Sequence, residues 1–207
     1  MSISQIWVAS GEDIDLNTIE VGWHVYQDIY GDDQTRFFIY WTGNGRILEL
    51  GLLQPPLRWF CAHIVKYLPW LQFHRGIYFQ WRQKRCHLQY SKGISVGYYP
   101  SALFTNLLRT TTTVEWGGEI INLKNKGRHT STQMGSGHFP FKGGLKTSSY
   151  FNWVHVFDEN NMIKDPEKVI KKVTNLNCYN LEIDNDHYGT NGYGFYYGGP
   201  GYNDKCR

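Results

Sequence analysis

Two short stretches of this sequence set a carboxylate two residues from a glycine. In IEVGWHVY, residues 19–26, Glu20 precedes Gly22; in VEWGGEII, residues 114–121, Glu119 follows Gly117. Two carboxylates brought close together share protons, because like charges a few ångströms apart raise one proton affinity and depress the other. Such a pair can take a proton from water with one member and protonate a leaving group with the other, with no metal involved. In an extended chain side chains alternate faces, so Ile19, Val21, Trp23 and Val25 share one side and Glu20, Gly22, His24 and Tyr26 the other. The same count sets Val114, Trp116, Gly118 and Ile120 against Glu115, Gly117 and Glu119. Each acid therefore faces away from its strand's tryptophan, beside a glycine that leaves room for another chain or a ligand. Solvent-facing glutamates of half-exposed strands would show the same pattern.

Other chemistry is less well supplied. His129 and His138 stand nine positions apart around a glycine-rich loop, and no nearby Cys or Asp completes a zinc set. Ser136 lies in GSG, but a nucleophile elbow needs glycine at position 134, where Met134 stands. His24 and His155 are expected to sit satisfied on sheet faces. Gln133, Tyr196 and Tyr197 are polar candidates for substrate contacts, and the glycines of GPG, residues 199–201, suit a turn.

The elements that must carry these residues are strands. Segments 4–10, 20–26, 36–42, 93–99, 113–121, 150–157 and 194–197 are short, rich in aromatic and β-branched residues, and separated by Gly, Asn, Asp and Pro clusters. Aromatic residues make up 16% of the chain and 22 glycines punctuate it, a composition that favours pleated sheets over helical bundles. The expected fold is all-β, an antiparallel β-sandwich of two sheets with one or two short helices. One helix is expected over 100–109, with Pro100 at its start and Leu103, Leu107 and Leu108 on one side, and a weaker one over 165–172. At 207 residues the chain is expected to be a single domain, 1–207.

The net charge of +3 is unevenly spread. Residues 46–92 carry eight lysines and arginines against one acid, Glu49, and the rest of the chain is net acidic. Clustered bases interleaved with Trp59, Trp70 and Trp81 are one footprint of nucleic-acid binding. They also mark a segment foreign to its surroundings, and this second reading is the one adopted, so no nucleic acid is expected as a partner. No run of about 18 apolar residues exists, so no membrane is expected either. The first twenty residues lack the charged and apolar regions of a secretory signal.

The motifs IEVGW, VEWGGEI, GRHTSTQMGSGHFP, the spacing around Asn177-Cys178-Tyr179 and the terminal GFYYGGPGYNDKC resemble the catalytic domain of the neprosins, plant glutamic prolyl endopeptidases. The resemblance covers residues 3–45 and 93–207. It implies a sandwich of two antiparallel sheets, secretion, cleavage of peptides after proline at acidic pH, and a catalytic pair of glutamates. Carried onto this sequence, the pair is Glu20 and Glu119, with Glu115 as the rival for the second role. It further implies a disulfide between Cys178 and Cys206, no cofactor or metal, a proline-containing peptide or protein as substrate, and a monomer. Secretion sits beside the missing signal if Met1 begins inside a longer ancestor. A carbohydrate-binding sandwich of the plant cell wall is the alternative, since aromatic platforms and paired carboxylates also suit sugars.

Between residues 45 and 93 the likeness lapses. Family members carry there a Cys-Tyr-Asn-Leu-Leu-Cys run leading into Gly-Phe-Val, whereas residues 53–63 read LQPPLRWFCAH. One coding of those residues, shifted by a single nucleotide, reads Cys-Tyr-Asn-Leu-Leu-Cys-Gly-Gly-Phe-Val-His. The segment 46–92 is therefore expected to be atypical, an out-of-frame version of the family's own sequence that weakens the sheet pattern and puts activity in doubt. Cys61 and Cys86 fall inside it.

Overall fold

The computed structural model describes residues 1–43, 46–52, 77–82, 85–90, 94–122, 130–142, 147–158, 160, 162–184 and 192–206. Among them the strands are β1 (Ser2–Ser10), β2 (Asn17–Val25), β3 (Arg36–Gly43), β4 (Arg46–Leu52), β5 (Ile77–Arg82), β6 (Arg85–Tyr90), β7 (Ile94–Pro100), β8 (Thr113–Ile120), β9 (Ser149–Phe151), β10 (Val156–Phe157), β11 (Ile163–Lys164), β12 (Asn180–Ile183) and β13 (Phe195–Gly198). One α-helical turn, α1 (Gln27–Tyr30), ends at Gly31, whose φ of 75° is the left-handed conformation that closes helices. The sheets run β4-β3-β2-β1-β8, β5-β6-β7 and β12-β13-β9, with a small β10-β11 hairpin. The pairings β3/β4, β5/β6, β6/β7, β12/β13, β13/β9 and β10/β11 are antiparallel. No described helix is long and apolar enough to cross a membrane.

The chain divides into two compact units, the first of residues 1–6, 22–37 and 115–207, the second of residues 7–21 and 38–114. In the first, Val154, Phe195 and Tyr197 are buried, with Trp116, Met134, Phe151, Leu181 and Tyr193 packed against them. Trp116 comes from β8 of the five-stranded sheet and Tyr197 from β13, so two sheets meet face to face through aromatic side chains. Burying each such ring stabilises by about 1.5–3 kcal/mol. Gly118 of β8 makes the packing possible: a Cβ there would lie 2.7 Å from both Met134 Cγ and Tyr197 Cε2. The Tyr197 hydroxyl donates to Ser4 Oγ at 2.5 Å, and burial pushes that phenol up to about 12.

In the second unit, Trp41 of β3 meets Tyr99 of β7 edge-on at 5.6 Å, and Tyr99 contacts Phe104 at 6.1 Å. Ile19, Val21, Ile39, Trp41 and Tyr99 are all nearly inaccessible to solvent. Of the core face foreseen for β2, Ile19 and Val21 are buried, whereas Trp23 and Val25 are only half-buried and His24, on the opposite face, is buried.

Both expected helices are corrected. Over 100–109 only Ser101–Leu103 is helical, a single 3-10 turn. Buried Asn17 explains the departure: its Oδ1 accepts from the backbone N–H of Thr105 and Asn106 at 2.8 Å and of Leu107 at 3.3 Å. One side-chain oxygen satisfies three successive amides that a helix would otherwise have paired. Residues 165–172 are not helical, and Lys168 sits at φ 54°, outside the right-handed helical basin. The expected strand 150–157 is also interrupted, because Trp153 at φ 52° turns the chain between β9 and β10. Cys178 and Cys206 form the disulfide that the resemblance implied, with Cα atoms 5.1 Å apart. Cys61 and residues 53–63 lie outside the described residues, as does the side chain of Cys86.

Candidate functional site

Glu119 lies near the end of β8 and is exposed. That end of β8 runs beside the start of β1, where the Ile121 N–H donates to the Met1 carbonyl at 3.1 Å. From β1, Gln5 reaches across: its Nε2 donates to Glu119 Oε2 at 3.2 Å. Gln5 is itself only 7% exposed, and its Oε1 is buried without a hydrogen-bond partner among the described residues. Gly117, on the same face of β8 by alternation, has open space where a Cβ would point, with no atom within 4 Å among the described residues. Room beside Glu119 is what the glycine spacing foretold.

Glu115, the rival acid, is committed elsewhere: Lys172 Nζ stands 2.9 Å from its Oε1. The lysine comes from the extended stretch for which periodicity predicts a helix.

Glu20 lies in β2, half-buried, two residues before Gly22. Its carboxylate acts on Tyr40 of β3: burial first, and the Glu20 charge second, push the Tyr40 phenol above its ordinary value. Gly22 itself plays a different part from the one expected. A Cβ at Gly22 would run into the Ser4 carbonyl and come within 2.8 Å of Gln5 Cα, so glycine is required for β2 to approach β1, not to admit a ligand.

Beyond Gly22, His24 does more than sit satisfied on a sheet face: it anchors a polar cluster. His24 is 3% exposed and shares a 2.9 Å hydrogen bond between its Nε2 and the Tyr30 hydroxyl. The Arg36 guanidinium lies over the Tyr30 ring, 4.1 Å from its centre, and grips Asp32 with two bonds of 2.6 and 2.8 Å. Burial, then the charges of Arg36 and the Met1 amino group, hold His24 down at about 4, so it is neutral above that pH. The Arg36 hydrogen bonds, with help from the Gln34 amide, hold the Asp32 carboxyl at about 2. The signal available in the sequence was the Asp32–Arg36 spacing of four just after Gly31.

The remaining candidates are scattered. Tyr197 is buried and bonded to Ser4, which removes it from substrate contact. Tyr196 donates its hydroxyl to Asp184 Oδ2 at 3.3 Å. Gln133 is exposed, as are Ser136 and His138, with Ser136 Oγ accepting the His138 N–H at 3.4 Å. His129 lies outside the described residues. His155, expected on a sheet face, sits off the sheet before β10 and pairs with Asp165 at 3.1 Å. In GPG, Gly201 adopts φ 74°, where a Cβ would come within 2.7 Å of the Thr132 carbonyl, so the turn reading fits.

On β8, Glu119 is held by a buried amide beside Gly117; on β2, Glu20 stands next to the half-buried phenol of Tyr40. Compared with known families, the chain matches the model described as Neprosin over residues 1–47 and 71–200. The match takes in both glutamate motifs. It omits 48–70, within the basic block, and resumes at 71, earlier than the return of likeness expected near residue 93. β5 and β6 fall in that recovered part.

Proposed function

Because the chain belongs to the Neprosin family, we propose that it is a glutamic endopeptidase that cleaves peptides after proline at acidic pH, with Glu20 and Glu119 as its catalytic pair. One glutamate, ionised, takes a proton from the water that attacks the scissile carbonyl. The other, protonated, polarises that carbonyl and then protonates the departing amide nitrogen. Because the pair must hold one proton between them, activity is confined to acidic pH and the two titrate together.

The observation that carries this reading is the different engagement of the two acids on β8. Glu115 is neutralised by Lys172, whereas Glu119 is held by an uncharged amide that leaves its charge for chemistry. Within the first unit, β2 from Gly22 onward and β8 flank β1. The open space at Gly117 supports a substrate strand lying beside Glu119. The Cys178–Cys206 disulfide supports passage through an oxidising compartment and hence an extracellular site of action. Family membership does not favour the carbohydrate-binding alternative.

A quenched fluorescent peptide with a single internal proline, incubated with the full chain at acidic pH, tests the proposal. Cleavage on the carboxyl side of proline, abolished in Glu20→Gln and in Glu119→Gln, is the expected result. Cleavage untouched by either substitution would overturn it.

A further inference from the structure

We infer that Gln5 is the positioning residue for Glu119; the inference rests on the proposed catalytic role of that glutamate. Gln5 is buried, yet it spends its one observed side-chain bond on an exposed carboxylate on the next strand, Nε2 to Oε2 at 3.2 Å. A glutamine kept only for the core would have both ends of its amide satisfied, since an unpaired buried acceptor destabilises the fold. Here Oε1 is buried and unpaired among the described residues. What the side chain accomplishes is to fix the rotamer of a carboxylate that otherwise stands in solvent on the edge strand β8.

The amide is also suited to a carboxylate that changes its protonation state. With Glu119 ionised, the Nε2 hydrogens donate to it, as observed. With Glu119 protonated, half a turn of the terminal amide exchanges Nε2 for Oε1, and the oxygen accepts from the new O–H. No bond is made or broken by Gln5 and no proton resides on it. It keeps the carboxyl in one place while a proton arrives and leaves, and a misplacement of about 1 Å at such a group is enough to lower turnover about 10²-fold. The strand pairing holds Gln5 itself in place: Gly22 of β2 packs onto the backbone of Ser4 and Gln5 from the other side.

The test compares Gln5→Met, which keeps the shape and removes the amide, with wild type on the proline peptide, alongside Glu119→Gln. The expected result is that Gln5→Met lowers kcat by about 10–100-fold with KM changed less than about threefold. A merely structural glutamine would alter the amount of folded protein and leave kcat per folded molecule intact. Denaturation midpoints of Gln5→Met, Glu119→Gln and the double variant supply a second readout free of activity: the contact predicts that the two effects are not additive. Wild-type kcat in folded Gln5→Met, with Glu119→Gln inactive, would overturn the inference and leave the peptidase reading standing. An active Glu119→Gln, or a wild-type chain that cleaves no proline peptide, would overturn both.

Discussion

Lys172 Nζ lies 2.9 Å from Glu115 Oε1, so the acid nearest in sequence to Glu119 on its own face is tied to a lysine from a distant part of the chain. Both partners are substantially exposed, and exposed pairs contribute little to stability. Glu115→Gln is therefore expected to leave cleavage of a proline peptide within about twofold of wild type and to shift unfolding free energy by less than about 1 kcal/mol. Steady-state kinetics beside urea denaturation check this, and a loss of turnover comparable to that of Glu119→Gln would transfer the catalytic role to Glu115.

Acid is expected to weaken the fold that carries the site. His24 has an ordinary value of 6.5 in the unfolded chain and about 4 in the folded one, chiefly through burial. Between those values the unfolded chain binds the extra proton, so stability rises with pH. The contribution is complete above about 6.5 and is lost as pH falls toward 4, on the order of 3 kcal/mol in all. His24→Gln, which can still bond the Tyr30 hydroxyl, is expected to flatten the dependence of the urea midpoint on pH across this window. If the variant retains the wild-type slope, the acid sensitivity belongs to other groups. With the slope flattened, a peptidase working in acid owes the lower edge of its pH range to protonation of His24 on unfolding as well as to its carboxylates.

The loop after β7 depends on one side chain. Asn17 is fully buried and its Oδ1 takes the amide hydrogens of Thr105, Asn106 and Leu107. Asn17→Ala strands these donors and is expected to destabilise by about 2–4 kcal/mol, more than its small loss of packing would explain. Amide hydrogen exchange at Thr105 and Asn106 would accelerate selectively. Unchanged protection there would show that the amides have other acceptors.

The disulfide closes a 28-residue separation that includes β12 and β13. In the chain-entropy picture that closure is worth roughly 3–4 kcal/mol. Cys178→Ser with Cys206→Ser should lower the thermal midpoint by several degrees without changing the cleavage position in a proline peptide. An unaltered midpoint would mean that the reduced chain holds this region by packing alone.

How far the sequence discloses the molecule depends on whether local pattern and tertiary partner agree. β2 and β8 were legible because a period of two, with tryptophan and isoleucine on one face and carboxylates on the other, suits a half-buried strand and no helix, and β1 and β3 because of their aromatic and β-branched content. The helix over 100–109 was misread because its leucine spacing says nothing about Asn17, some 90 positions earlier, which supplies the acceptor that replaces a helical ladder. The turn at Trp153 was invisible because tryptophan rarely takes a positive φ, and nothing local announces it. The candidate glutamates were marked by their glycine neighbours, yet the reason differed: Gly117 leaves open space, while Gly22 accommodates β1. Gln5 left no signal of its own, since a glutamine in SQIWVAS reads as an ordinary strand residue until Glu119 is set beside it.

The most direct measurement is the rate of proline-directed cleavage at acidic pH by the full chain, compared with Glu20→Gln and Glu119→Gln, each first shown to unfold cooperatively. The account expects either substitution alone to reduce kcat by at least about 10²-fold, with the double variant little worse than either single one, because the two acids act as a unit. Folded Glu20→Gln or Glu119→Gln protein that cleaves at the wild-type rate would contradict it.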